Sequence, residues 1–138
     1  MKKIFGKAKM NVNGTTFEDR QKKLWCLRTA KSAFLTLQRE PNNEHDPKAI
    51  KVIAHTVSKK DKRSHFCIGY VPKEKAEWMA PAMDAGKIVR VGSYEVVGAG
   101  TTSCSLGVKM VINHEMYEVA DANAVATEQS TNTTERNL

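Results

Sequence analysis

The sequence lacks the segments that mark membrane-spanning, secreted or metal-binding proteins. No apolar run approaches the roughly 20 residues of a membrane-spanning helix, and the basic start is not followed by the apolar stretch of a secretory signal. The three cysteines, Cys26, Cys67 and Cys104, are scattered and form no CxxC pair, so we expect reduced thiols and no metal site. These absences predict a cytoplasmic protein without a membrane partner or a cofactor.

Signatures of common enzymes are also missing. The chain has neither the GxxxxGK(S/T) loop of nucleotide hydrolases nor the GxSxG turn of serine hydrolases, and Cys26 has no evident base in the sequence. Glu40, Glu44 and Asp46 are close in sequence, but turn and surface roles account for them without a metal. We therefore expect a protein that is not an enzyme.

The composition is that of one globular domain followed by a polar tail. The chain has 138 residues, of which 41% are hydrophobic and 27% charged, which suffices for a core. Residues 120–138 contain no aromatic residue, and such a segment cannot bury enough apolar surface to order itself. We predict a monomer with a domain over residues 1–119 and a disordered tail over residues 120–138.

Positive charge is concentrated in the first half of the chain. Residues 1–75 contain 18 Lys and Arg against 7 Asp and Glu, whereas residues 76–138 contain 4 against 8. A basic half favours a polyanionic partner, of which nucleic acid is the commonest. Charge alone does not separate DNA from RNA or from an anionic membrane surface.

Alternation of apolar and polar residues predicts a mainly β fold. The predicted strands are residues 2–12, 33–39, 49–55, 65–71, 87–97 and 103–113, with a short edge strand at 117–119. With two helices inserted, the pattern indicates an α+β class, a small, partly open OB-like or SH3-like barrel of about six strands. The basic segment 58–63 is interpreted as a hairpin tip, with the alternative that it follows a phosphate backbone.

Local signals place the two helices. Thr15 and Glu18 have the spacing of a capping box that starts a helix running to about Thr29, with Phe17 and Leu24 in the core. Proline is favoured at the first helical position because its missing N–H costs nothing there. A second helix is accordingly predicted to open at Pro72, to be disturbed at Pro81 and to end at Gly86, where a turn joins the next strand.

The stretch 39–52, REPNNEHDPKAIKV, is the most informative part of the chain. It places two prolines, two asparagines and an aspartate between predicted strands, which predicts one rigid loop because Asn and Asp bond their own backbone and proline fixes φ. The loop presents Asn43, His45 and Asp46 side by side, with Arg39 at its entrance. These groups suit a sugar hydroxyl, a phosphate or a base edge; the alternative is a tightly capped turn that binds nothing.

Two further places are candidates for the same ligand. Arg20 lies in the first turns of the first helix, where N–H groups favour an anion. Tyr70 and Lys73 lie at a strand-to-helix junction, where the ring suits base stacking and the ammonium suits a phosphate. Each has a structural alternative, namely an ion pair for Arg20 with Glu18 or Asp46, a core position for Tyr70 and plain solvation for Lys73.

Three blocks of sequence resemble the HIRAN domain family. They are FEDRQ at 17–21, LTLQREPNNEHDPKAIKV at 35–52 and IGYVPKEKA at 68–76. The family pattern has an FxxRQ-like helix start, LxREPxNxxDxxAIxV and IGYVPxxxA in that order, and the resemblance spans about residues 12–112. It implies a small barrel related to the OB-fold that binds DNA; the best-understood member, at the amino end of a helicase-like transcription factor, holds the free 3′ end of a single strand.

The resemblance also implies roles for individual residues. Asn43 and Asp46 would receive the terminal 3′-hydroxyl and sugar or base, Arg20 and Lys73 would take phosphates, and Tyr70 would flank the pocket. The family commonly has a base-stacking Tyr where this chain has His45. Stacking platforms of the end-binding member are also replaced near Gln21, Lys22 and Thr102. Base stacking contributes ~1–3 kcal/mol per base, so weaker end binding is expected.

Three interpretations of function remain open at this point. The first is a DNA-binding module for single strands, 3′ ends or forked DNA that assists a helicase or nuclease partner in DNA repair, restriction or invading-DNA processing. The second is a protein-interaction module that keeps the barrel and has lost nucleic-acid binding, with Trp25 or Trp78 on a partner surface. The third is a nuclease with an unrecognised site.

Overall fold

A computed structural model describes residues 3–15, 20–98 and 106–117 of the chain. The described residues form six strands and two helices. In chain order these are β1 (Lys3–Asn11), α1 (Arg20–Thr29), β2 (Ser32–Arg39), β3 (Ile50–Val57), β4 (Arg63–Tyr70), α2 (Lys73–Asp84), β5 (Val89–Val97) and β6 (Gly107–Tyr117). None of the helices in these ranges is long and apolar enough to cross a membrane.

The strands form two antiparallel sheets of three strands each. One sheet has the order β1–β6–β5 and the other the order β2–β3–β4. The described part of the chain joins the sheets by one isolated bridge, in which Asn13 N donates to Tyr70 O at 2.8 Å and Tyr70 N donates to Asn13 O at 2.9 Å. The mainly β class with six strands and two helices is therefore confirmed.

No closed barrel is found among the described strands, so the expected partly open OB-like or SH3-like barrel is not confirmed. The two sheets meet between β2 and β5 without a described ladder of paired residues. Both sheets also carry a register shift, at Val52/Ile53 opposite β4 and at Val91/Ser93 opposite β6. Bulges of this kind bend a strand and increase its twist. The contact between the two sheets therefore could not be predicted from the alternation of apolar and polar residues.

The side chains that face the core were predicted correctly from the periodicity of the strands. Burial alternates along the whole of β3, and Ile50, Val52 and Ala54 are each fully buried. Leu24 of α1 is also fully buried, as predicted. One apolar cluster draws on both sheets and both helices, with its largest fully buried side chains at Leu24, Ile50, Ile68, Met79, Met110 and Ile112.

The carboxyl end of the chain differs from the prediction. Tyr117 is the last residue of β6, paired with Lys3, and β6 is the central strand of its sheet. A separate edge strand beginning at residue 117 is therefore wrong. The rest of that predicted strand, residues 118–119, lies outside the described residues, as do the predicted tail at 120–138 and Thr102.

Helix α2 begins one residue later than predicted. Pro72 is its N-cap, with φ −55 and ψ 141, because this extended ψ lies outside the helical range. The helix continues through Pro81, and two hydrogen bonds close it, from Gly86 N to Met83 O and from Lys87 N to Ala82 O. This pair of bonds is the Schellman motif, and Gly86 has φ +84, which only glycine adopts without strain.

Helix α1 runs to Thr29 as predicted. Its predicted capping box cannot be compared with the structure, because Glu18 and the predicted core residue Phe17 lie outside the described residues. Arg20 is the first residue of the described helix.

Candidate functional site

The loop between β2 and β3 is organised around the side chain of Asn43. Its Oδ1 accepts hydrogen bonds from His45 N at 2.8 Å and Asp46 N at 3.0 Å. Its Nδ2 donates to Glu40 Oε1 at 3.0 Å, so one amide side chain satisfies two backbone donors and reaches a carboxylate. This is the turn-forming chemistry that favours Asn in such loops.

The far half of the loop is fixed by Asp46. Its Oδ1 accepts a hydrogen bond from Lys48 N at 2.9 Å, and its carbonyl oxygen accepts one from Ala49 N at 3.0 Å. Glu40 N also donates to Ala49 O at 3.0 Å, which closes the base of the loop. Main-chain and side-chain bonds therefore hold the loop in one shape, which favours a surface arranged before a ligand arrives.

Arg39 holds the loop from the opposite side. Its guanidinium donates to Ala49 O at 2.8 Å and Pro47 O at 2.9 Å, and binds both carboxylate oxygens of Asp84 at 3.0 and 3.1 Å. The hydrogen bonds from Arg39 lower the pKa of Asp84. Because these contacts occupy most of the donors that a guanidinium carries, Arg39 is placed to position the loop and to tie it to the end of α2.

The carboxylate of Glu40 is the centre of the site, and the sequence analysis did not identify it as a site residue. Its Oε1 accepts hydrogen bonds from Asn43 Nδ2 at 3.0 Å and Tyr70 Oη at 2.9 Å, and its Oε2 lies 2.9 Å from Lys51 Nζ. Three donors from three chain segments thus meet on one carboxylate. Neutral and charged donors together make this a strong network.

The pKa values in this cluster reflect the same contacts. Partial burial alone would raise the pKa of Glu40, but the hydrogen bonds from Asn43, Lys51 and Tyr70 outweigh it and lower that pKa. The bond to Glu40 raises the pKa of Lys51. Burial, followed by the Glu40 hydrogen bond, raises the pKa of Tyr70 to about 12. At neutral pH the cluster therefore holds a carboxylate, an ammonium and a neutral phenol.

Arg20 reaches the same cluster from α1. Its guanidinium carbon lies 5.8 Å from the centroid of the Tyr70 ring, within the range of a cation–π contact. Its Nη1 donates to Gly14 O at 2.8 Å, next to the Asn13–Tyr70 bridge. The ring of Tyr70 therefore lies between a guanidinium and the Glu40 carboxylate.

A shallow recess of about 330 Å³ opens beside this cluster, lined by Glu40, Pro41, Asn42, Asn43 and Tyr70. His45 projects from the loop with 88% of its side chain exposed. Lys73 is exposed at the start of α2, where the first-turn amides of Lys75 and Ala76 bond Pro72 O. In the described part of the chain, Lys73 has no hydrogen-bond or ion-pair partner.

The predicted site residues fall into three groups. Arg20, Asn43 and Tyr70 are connected through Glu40 or by ring contact. His45 and Asp46 are attached to Asn43 by backbone hydrogen bonds, and Lys73 follows Tyr70 at the start of the next helix. Arg39 is directed to Asp84 and the far side of the loop.

Lys51 is a further member of the cluster that the sequence did not mark. In a strand whose alternate residues are buried, Lys51 points outward, and its register partner on β4 is Tyr70. That pairing requires knowledge of the strand register. No group of three or more metal-binding side chains gathers within residues 3–15, 20–98 and 106–117.

Comparisons with known proteins bear on this arrangement. A family model described as the HIRAN domain matches residues 30–113, which include the loop, Tyr70 and Lys73 but not Arg20. A crystal structure of a protein from Lactobacillus plantarum matches with 18% identity and a TM-score of 0.50, over 83% of this chain and 99% of that chain. At this identity the likeness concerns the fold alone. No curated protein matches the chain at a significant level.

Proposed function

The chain belongs to the HIRAN domain family, and from this membership we propose that it is a non-enzymatic DNA-binding module for single strands, DNA 3′ ends or forked DNA. HIRAN is a binding domain that is associated with nucleic acid, not a catalytic one. The proposal therefore concerns which nucleic acid is held, and by which side chains.

The observation that carries the proposal is the fixed loop, which Glu40 joins to Tyr70, whose ring in turn contacts Arg20. The hydrogen bonds of Asn43 and Asp46 shape the loop before any ligand binds. A surface that is already ordered loses less conformational entropy on binding. A recess with amide, carboxylate and aromatic edges suits the sugar and base of one terminal nucleotide better than an extended duplex.

Each side chain has a proposed part in holding that nucleotide. The Asp46 oxygen that does not bond Lys48 accepts the 3′-hydroxyl, and Asn43 contacts the sugar or base with its remaining N–H. Tyr70 forms one wall, and His45 covers the base from the exposed side. Arg20 and Lys73 contact phosphates, where charge-assisted hydrogen bonds are stronger than neutral ones.

Glu40 and Arg39 are proposed as positioning residues. Glu40 is already bonded by Asn43, Tyr70 and Lys51, so its negative charge is compensated locally and need not repel a phosphate at the recess. Arg39 keeps the loop in register with α2 through Asp84. Such a module would act as an adaptor or modulator beside a helicase or nuclease, in DNA repair, restriction or the processing of invading DNA.

Fluorescence anisotropy with short labelled single strands tests the proposal. Oligonucleotides with a 3′-hydroxyl, a 3′-phosphate or a blocked 3′ end are titrated with the full chain over a salt series. We expect the 3′-hydroxyl strand to bind most tightly, and its affinity to fall with salt because phosphates are contacted. Equal binding of all three ends would overturn end recognition, and no binding to DNA at low salt would overturn the function.

Two lysines at opposite ends of α2 provide a matched pair of variants. Lys73 is the first residue of the helix, and Lys87 donates the last hydrogen bond of its Schellman motif, about 18 Å away for a helix of this length. Lys73→Gln should weaken binding severalfold and make it less dependent on salt by about one phosphate contact, whereas Lys87→Gln should leave both unchanged. Equal effects would indicate general charge attraction in place of a site.

A protein-interaction module is the second candidate, because Trp25 is 50% exposed and its ring carries only the Arg28 guanidinium, 5.3 Å away, among the described contacts. If the chain binds no DNA in the titration, this candidate replaces the first. Adding Mg²⁺ to the same mixtures and separating the products on a gel tests for nuclease activity, which neither candidate expects.

A further inference from the structure

The outer face of the β2–β3–β4 sheet carries a row of three rings. Phe34 is paired with His55, and His55 with His65, so the three residues occupy matching positions on adjacent strands. His55 alternates with the buried residues of β3, Phe34 is exposed next to buried Leu35 of β2, and His65 is exposed on β4. The register therefore places them side by side on the face away from the core.

The rings of this row are stacked on one another. The Phe34 and His55 centroids are 4.7 Å apart with an interplanar angle of 7°, and those of His55 and His65 are 6.1 Å apart at 25°. Thr36 Oγ1 shares a hydrogen bond of 2.8 Å with His55 Nε2, which fixes the central ring. Rings in adjacent strands at this spacing stand on the sheet with their faces towards one another.

One end of the stack is open. Phe34 is 58% exposed although His55 covers one of its faces, so its exposure comes from the other face and the ring edge. A groove of about 310 Å³ beside Phe34 is bordered by Gly92 and Ser93 of β5. A second recess of about 300 Å³ lies over the row and reaches Arg63.

Positive charge surrounds this end of the sheet. The hairpin between β3 and β4 carries Lys59, Lys60 and Lys62, and its one acid, Asp61, lies 2.7 Å from Lys31 Nζ. The same three lysines line a groove of about 550 Å³ between the hairpin and α1. That groove contains none of the three rings; the recess over the row carries Arg63, and the lysines lie beyond it at the tip of the same hairpin. Open aromatic rings with cations at one end of their row complement a single strand, whose bases stack and whose phosphates are negative.

The ring row and the recess at Tyr70 lie on the same face of one sheet. Lys51, the partner of Tyr70, and His55, the centre of the row, are both outward residues of β3. They are four steps apart along the strand, or about 13 Å. This is a span that only a few nucleotides of a single strand need to cover.

We propose that the stacked row Phe34–His55–His65 is a second contact surface for single-stranded DNA, which receives bases upstream of the nucleotide held at Tyr70. The open face of Phe34 stacks one base, the edges of the imidazoles contact its neighbours, and the hairpin lysines contact the phosphates. This inference rests on the proposed function, because it continues the strand whose end that function places in the recess.

The test compares short and long oligonucleotides in the anisotropy assay. Strands of about four nucleotides fill the recess alone, and strands of about twelve also reach the ring row, within the range of single-strand site sizes. Wild type should bind the longer strand at least about tenfold more tightly than the shorter one, because the free energy of stacking one base corresponds to about that factor in affinity. The variant Phe34→Ala with His65→Ala should lose this gain and keep the affinity for the short strand.

Phe5→Ala is the matched control, because Phe5 is 46% exposed on β1 of the other sheet; it should keep the full gain with length. Replacing Lys59, Lys60 and Lys62 by Gln should reduce the salt dependence for the long strand by up to about two units of slope and leave the short strand unchanged. Far-UV circular dichroism verifies that each variant is folded.

The outcomes separate this inference from the proposed function. If the short strand binds and length adds nothing, or if the ring variant keeps the gain, the ring row is not a DNA surface and the proposed function stands. If neither strand binds, both are overturned. If the ring variant keeps the gain with length and the hairpin substitutions abolish it, the lysines alone account for the gain and the stacking role is wrong.

Discussion

The two ends of the β2–β3–β4 sheet present nucleic-acid chemistry in contrasting forms. At the Tyr70 end, Glu40 gathers three donors and Asn43 fixes the loop, so nearly every polar group has a set partner. At the hairpin end, the ring row has one described side-chain hydrogen bond, from Thr36; Arg63 lines the recess over the row, and the exposed hairpin lysines lie beyond it. On the proposed function, the first end would accept one shape of ligand, and the second would accept many.

This difference follows from what each interaction can discriminate. Hydrogen-bonding groups held in place reject a ligand that leaves them unpaired, because an unsatisfied polar group costs about 1–3 kcal/mol. Stacking and charge attraction accept any base, since every base has a π face. A single strand of DNA bound at both ends of the sheet would therefore be recognised at its terminus, whereas its other nucleotides would be bound without discrimination between bases.

The largest effect is expected from Gly69→Ala, which would break the Tyr70 end. A Cβ at this position would lie 2.6 Å from Val12 Cγ1 and collide with the Asn13 carbonyl oxygen, and φ is +152. Overpacking and backbone strain each cost about 1–3 kcal/mol, so we expect about 3 kcal/mol or more of lost stability. Urea unfolding followed by circular dichroism measures it.

Gly86→Ala is the control for Gly69→Ala. Gly86 also has a positive φ, +84, but no atom lies within 4 Å of a Cβ placed there. Only the backbone strain remains, which costs about 1–2 kcal/mol. Equal losses in the two variants would show that the close approach of the sheets at Gly69 is not important.

An intermediate effect is expected from Glu40→Gln. The change leaves Lys51 without its anion and weakens the bonds from Asn43 and Tyr70, which should cost about 1–2 kcal/mol of stability at pH 7. Because the pKa of Glu40 is lowered from 4.5 in the folded protein, its contribution is present above about pH 4.5 and is lost as the pH falls through the folded-state value. The stability gap between wild type and variant should therefore shrink in acid.

Urea unfolding of wild type and Glu40→Gln at neutral pH and at about pH 3 provides the comparison. Subtracting the two proteins at each pH removes the contribution of other carboxylates, including Asp84, whose pKa is also lowered. A gap that stays constant with pH would mean that the charge of Glu40 is not what stabilises the cluster.

The smallest effect is expected from Thr36→Val at the hairpin end. The substitution keeps the shape of the side chain and removes the hydrogen bond to His55 Nε2. Both groups are partly exposed, so water replaces the lost partner and the cost should be about 0.5 kcal/mol. If unfolding shows a loss as large as that of Glu40→Gln, the two ends of the sheet do not differ in rigidity.

The sequence predicted the elements well because their signals are local. The alternation along β3, the Gly86 stop and the Asn43 and Asp46 turns each depend on contacts within a few residues. The way the sheets meet was not predictable, since the Asn13–Tyr70 bridge and the β4 bulge beside Gly69 depend on pairing between residues far apart in the chain. The partly open barrel was predicted from the strand pattern alone, and it is not confirmed.

The candidate site shows the same limit. Asn43 and Asp46 were found because turn chemistry and the family pattern mark them, whereas Glu40 was missed because Lys51 and Tyr70 are distant in sequence. Arg39 was expected at the ligand and instead bonds Asp84, a partner that only the packing of α2 against the loop brings close. The ring row could not be predicted from the sequence either, because its three rings are brought together by the strand register.

The bridge at Tyr70 has a consequence for how occupancy would be sensed. The backbone of Tyr70 joins the two sheets through Asn13, while its hydroxyl borders the recess through Glu40. A ligand that immobilises the ring would therefore also restrain the sheets against each other. Hydrogen–deuterium exchange at the backbone amides of Asn13 and Tyr70 should therefore slow on binding. The bridge between the sheets would then indicate an occupied recess although the ligand does not contact it.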